Sequence, residues 1–137
     1  MLIKQIDNPS GNILIYPYWD DDGEIERFLP INLIKVIRND EKLTAFTKNN
    51  YKRYFLDGND IIVIHIGKKN FITADSVRQF SSLAYKRAKK YLFQKINVFL
   101  FNKEWNLENI DCIKAFLESL YLTDYKFKGY KKDEKEL

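Results

Sequence analysis

A chain of 137 residues and 16.4 kDa has room for one domain around one core, which sets aside a two-domain reading. Its 45% hydrophobic, 15% aromatic and 31% charged residues describe a folded protein, and no apolar run nears the roughly 20 residues of a membrane helix, so a soluble cytoplasmic protein is expected. The net charge of +4 and pI near 9.0 suit a nucleic-acid partner, but Lys is spread through a chain rich in Lys, Ile, Asn and Tyr, so charge alone defines no binding face.

Along the chain, Ile13 to Tyr18 reads as the first strand, a β-branched and aromatic run opened by Gly11 and stopped near Pro17. Leu33, Ile34, Val36 and Ile37 recur at helical spacing and predict a short helix over Asn32 to Glu41, with Asn32 as its cap. Tyr51 to Leu56 is a second strand, turning at Asp57 to Asp60 into Ile61 to Ile66, whose five aliphatic residues suit a strand covered on both faces. After a tight turn at Gly67, Thr73 caps a helix lined by Val77, Phe80, Ala84, Ala88 and Tyr91. Lys95 to Phe101 alternates as a strand. Asn106 caps a last helix whose buried stripe is Ile110, Ile113, Leu117, Leu120 and Tyr121. The order strand, helix, strand, helix implies parallel strands with right-handed crossovers, an α/β layered sheet. Residues 1–125 form the domain, and 126–137 read as a charged linker or frayed tail.

Residues able to carry chemistry are few. His65 is the only histidine and lies inside an aliphatic strand with no second His or Cys nearby, so a core histidine is expected there rather than the base of a small hydrolase. Cys112, the only cysteine, excludes an internal disulfide and reads as a half-buried thiol. Gly67, Lys68 and Lys69 stand where a strand hands over to a helix, but without a phosphate-loop pattern. Asp20 to Asp22 lack the spacing of a calcium loop. Arg78, Lys86, Arg87, Lys89 and Lys90 form a basic patch on one helix, with no accompanying nucleic-acid motif.

Two stretches go beyond composition. Ile61 to Lys68 (IIVIHIGK) followed by Thr73 to Lys90 (TADSVRQFSSLAYKRAKK), and Glu118 to Lys131 (ESLYLTDYKFKGYK), resemble the N-terminal domain of the cytosolic leucyl aminopeptidase family. Glu118, Leu122, Tyr125, Lys126, Phe127, Tyr130 and Lys131 match the segment that ends that domain. His65 replaces the first glycine of the family's Gly-x-Gly-Lys turn, and Ser119 and Thr123 stand where small glycines are usual.

The resemblance implies a three-layer α/β/α sandwich with a macro-domain-like mixed sheet. It implies a non-catalytic domain that helps assemble an oligomer, a hexamer in the family, and restricts access to active sites. The parent enzyme would be a metallo-aminopeptidase, a hydrolase and protease acting on peptides with two divalent metals, zinc or manganese. Its metal-binding motif belongs to a following catalytic domain and is not reproduced here, so no catalytic, cofactor or metal residue is carried over. Tyr125, Phe127 and Tyr130 are then candidates for docking on that domain, with packing on their own helix as the alternative. A macro-like module binding nucleotide or nucleic acid through the basic patch is the rival function.

Overall fold

The computed structural model describes residues 2–3, 12–20, 24–40, 46–91 and 95–136. In chain order the elements are β1 (Leu2–Ile3), β2 (Asn12–Asp20), α1 (Ile31–Asn39), β3 (Tyr51–Leu56), β4 (Asn59–Lys68), α2 (Ala74–Lys90), β5 (Lys95–Val98) and α3 (Asn109–Glu136). Short 3-10 turns lie at Glu24–Phe28 and Lys69–Phe71. The five strands form one sheet in the order β1-β5-β2-β4-β3. Four run parallel and β3 is antiparallel to β4, so the sheet is mixed and is flanked by helices as an α/β/α sandwich.

The path of the chain explains the layers. From β2 it crosses to β4 on one side, and from β4 it returns past β2 to β5 on the other. Right-handed crossovers in opposite directions put α1 and α2 on opposite faces. Alternate β3 residues agree: the Tyr54 hydroxyl donates to Asp40 just after α1, whereas the Tyr51 hydroxyl meets that of Tyr91 just after α2. All of Ile61–Ile66 is buried, and Ile13, Ile15, Tyr16 and Pro17 are buried beside it on β2, as a doubly covered parallel pair requires.

Several sequence expectations need correction. β1 was not foreseen, because two residues carry no period. β2 continues through Pro17 to Asp20. Ile15 accepts a bond from Phe99 on the β5 side, so Pro17, two residues on, turns its missing N–H to the same side, where β5 has already ended at Val98. Pro30, not Asn32, occupies the cap position of α1, and the Asn32 side chain instead donates to Asp57. Gly67 is not a tight turn but part of a bulge within β4. The register slips by one residue between Tyr18 opposite His65 and Asp20 opposite Lys68, and the extra residue is accommodated at Gly67, with φ +101. β5 ends at Val98, after which Phe99 stacks on Tyr16 with ring centroids 4.2 Å apart. Asn106 does not cap α3. It sits in the preceding turn at φ 54, and the helix begins at Asn109.

The largest correction concerns α3. Its backbone is helical through Glu136, past the point where the apolar period fades. The side it buries is Cys112, Ala115 and Phe116, while Ile110, Ile113, Leu117 and Tyr121 are 71%, 40%, 50% and 72% exposed. The buried side packs on α2: Ser81 donates to the Phe116 carbonyl and Ser119 to the Arg78 carbonyl, both at 2.7 Å.

Near the end of β2, Trp19 is fully buried and meets Phe28, Phe101 and Trp105. This aromatic cluster joins β2 to the turns on either side. Trp19→Ala is expected to destabilise the protein by roughly 3–5 kcal/mol, measured by urea unfolding.

Candidate functional site

β2 and β4 send their following connections to opposite faces of the sheet, so their carboxyl ends form the switch point where open α/β sheets usually bind ligands. Asp20 and His65 meet there, His65 Nε2 lying 3.1 Å from Asp20 Oδ1. The Gly67 N–H donates to His65 Nδ1 at 3.0 Å, which makes Nδ1 the acceptor and assigns the proton to Nε2, the donor to the carboxylate. The His65 backbone bonds Asn50 and Asn49 in turn. The ring is buried between Tyr18 and Phe46. His65 therefore clamps the bulge, as a core histidine, and both ring nitrogens are engaged.

The residues read as a basic patch do not act together. Arg78, Lys86, Lys89 and Lys90 are exposed, but Arg87 turns inward and lays its guanidinium 4.1 Å over the Tyr51 ring. Arg53 covers Tyr91 at 4.0 Å, and the two tyrosine hydroxyls are 2.9 Å apart. That hydrogen bond from Tyr91, with Arg87 and Lys90 adding positive charge, holds the Tyr51 phenol below its ordinary range although desolvation opposes it. This cation and aromatic lattice ties the α2 terminus to the β3 edge. Sequence reading placed Arg87 with its neighbours because helix position does not reveal which tyrosine a long side chain covers.

Asp20 lies at the end of β2, while 21–23 fall outside the described residues. Tyr125, Phe127 and Tyr130 fall on the backbone of α3, but their side chains lie outside the described residues. The exposed stripe Ile110, Ile113, Leu117 and Tyr121 just upstream was missed as a surface. A groove of about 500 Å³ opens beside it, lined by Tyr85, Leu117, Glu118, Leu120, Tyr121 and Asp124. At its floor the Tyr85 hydroxyl donates to Asp124 at 2.5 Å.

Among the described residues no three His, Cys, Asp or Glu side chains are placed to hold a metal ion. The single histidine is engaged with Asp20 and Gly67, and Cys112, expected half-buried, is 1% exposed on the inner side of α3. The resemblance assigns the zinc or manganese pair to a following catalytic domain, and the donors described here form no site for it. Among the described residues no helix is long and apolar enough to cross a membrane.

Residues 54–134, more than half the chain, match the N-terminal domain of the cytosol aminopeptidase family. A probable cytosol aminopeptidase from Clostridium perfringens is 28% identical over 143 aligned positions, covering 98% of this chain and 28% of that protein. Another from Wolinella succinogenes is 32% identical over 65 residues, 47% of this chain and 13% of that protein. The chain belongs to the cytosol aminopeptidase family, as its N-terminal domain. It spans little more than a quarter of the longer-matched relative.

Two outcomes follow for the side chains. Burial, and then the hydrogen bonds to Asp40 and Asp124, push the Tyr54 and Tyr85 phenols above their ordinary value of 10.0. Both keep their protons when the unfolded chain begins to lose its own, so this stability is full below about pH 10 and is lost as pH rises further. Unfolding free energy measured from pH 8 to 11 should fall less steeply in Tyr54→Phe and Tyr85→Phe. Burial also pushes the Cys112 thiol up, so a thiol-reactive reagent should label it only in denaturant.

Proposed function

We propose that this chain is a non-catalytic N-terminal domain of a metal-dependent, leucyl-type aminopeptidase of the cytoplasm that removes N-terminal amino acids from peptides. Its role is to help assemble the oligomer, a hexamer, and to restrict access to active sites carried by a C-terminal catalytic domain, where the zinc or manganese ions bind. Membership of the family supports this, as does the small share of its relatives that the chain spans.

The observation that carries the reading is the outward apolar stripe of α3. Ile110, Ile113, Leu117 and Tyr121 recur at helical spacing on the side opposite Cys112, Ala115 and Phe116, and such a row is costly to leave in water. α3 also contains Tyr125, Phe127 and Tyr130, the segment whose residue types match the end of the family's domain. Covering the stripe with the catalytic domain would remove that apolar surface from water, at roughly 25 cal/mol per Å².

The test is the mass and activity of the native product. An antibody raised against this chain should precipitate a polypeptide well above 16.4 kDa with metal-dependent aminopeptidase activity, whereas a 16.4 kDa product without that activity would refute the reading. In that larger protein, Leu117→Asp with Tyr121→Asp should disrupt assembly on a sizing column, while shifting the stability of the isolated chain by less than about 0.5 kcal/mol.

A further inference from the structure

We propose that the Asp57–Gly58 step, at the tip of the hairpin between β3 and β4, is a site of spontaneous covalent modification, in which the Asp57 side chain closes on the Gly58 nitrogen and reopens as an isoaspartyl linkage. The proposal does not depend on the aminopeptidase reading.

The reaction needs only water. The Gly58 amide nitrogen attacks Asp57 Cγ, a new N–C bond forms, and one carboxyl oxygen leaves as water with the amide proton and the acid proton. The product is a five-membered succinimide, closed between adjacent groups and so at little cost in chain entropy. Water then adds at one of its two carbonyls. Addition at Cγ restores aspartate. Addition at the backbone carbonyl breaks its bond to nitrogen, so the chain now runs through Cβ and Cγ and a carboxylate is left on Cα. One water is lost and one regained, and nothing is oxidised or reduced.

The structure equips this step at both reacting groups. The Asn32 side chain, reaching over from α1, donates to Asp57 Oδ2 at 2.9 Å, where it stabilises the charge that develops on that oxygen as nitrogen adds to Cγ. The Asn59 side chain approaches the Asp57 carbonyl oxygen at 3.4 Å, on the peptide group whose nitrogen must lose its proton. A Cβ built on Gly58 would meet nothing within 4 Å, so no neighbour obstructs the ring. Both residues are exposed, which admits the water of the second step. Asp57 has φ 53, a left-handed conformation that suits an L residue less than glycine, and a linkage through Cβ is released from it.

The consequence falls on β3. A two-residue turn closes with Leu56 opposite Asn59, and an inserted methylene does not fit that closure. The modification therefore loosens the edge strand at the hairpin end and leaves the pairing of β2 with β4 in place.

The experiment incubates the folded 137-residue chain in mild acid, in water labelled with heavy oxygen, and maps its peptides by mass spectrometry with fragmentation that separates aspartyl from isoaspartyl linkages. Heavy oxygen at residue 57 together with isoaspartate there is expected, because every ring that reopens takes an oxygen from solvent. The chain contains a second Asp–Gly step, Asp22–Gly23, which serves as the internal standard. Asn32→Ala should slow uptake at residue 57 about threefold relative to that standard, the effect of one hydrogen bond. Asp57→Asn, which suits the same turn, should close the same ring with loss of ammonia and reach isoaspartate several-fold faster. Absence of heavy oxygen at residue 57, an equal change at both steps in Asn32→Ala, or an unreactive Asp57→Asn would overturn the proposal.

Discussion

The parallel pairing of β2 with β4 is the constraint on which the other elements depend. Both strands are covered on both faces, so their backbone groups must bond to one another or to the flanking strands β5 and β3. Once that pair is in place, the crossovers fix α1 and α2 on opposite faces, and α2 supplies the surface on which α3 rests. The one irregularity in the pair, the bulge at Gly67, is closed by a side chain of the strand itself: His65 accepts from Gly67 and donates across to Asp20. A residue type often assigned to catalysis is here used for register.

What was legible in the sequence follows from how strongly a segment's environment is imposed by its own pattern. Ile61 to Ile66 could only be a buried strand, and the spacing of Val77, Phe80, Ala84 and Ala88 could only be one side of a helix. Where two patterns coexist, sequence is ambiguous. α3 carries a bulky stripe, Ile110 to Tyr121, and a smaller one, Cys112, Ala115, Phe116 and Ser119, and periodicity alone favours the bulkier one as the core side. The structure buries the smaller, because the hydroxyls of Ser81 and Ser119 bond the backbone of the facing helix and small side chains permit that approach. The resemblance, carried by short motifs, was a better guide to family than periodicity was to the orientation of this helix.

The contacts of the candidate residues were harder to read for a different reason. The Arg87 guanidinium joins the end of α2 to Tyr51 at the start of β3, and nothing local marks them as neighbours. Their meeting depends on the mixed topology, in which β3 returns antiparallel at the sheet edge and exposes Tyr51 to the α2 terminus. The same arrangement divides the run of cations: Arg87 and Lys90 join the aromatic lattice around Tyr51 and Tyr91, and Lys89 reaches the Tyr85 ring instead.

The order of strands also governs how the chain can form during synthesis. β3 and β4 are joined by a two-residue turn in which Asp57 and Gly58 both have positive φ, so this hairpin closes locally as soon as it is made. β2 is made earlier, yet 45 residues separate Asp20 from its partner His65. At roughly 5–20 residues per second, the nascent β2 waits seconds with an apolar strand unpaired. The hairpin then serves as the template to which β2 is added, and β5 can join only after β2 has docked. The sheet grows from the middle of the gene outward, and its earliest apolar strand is the one most in need of shelter.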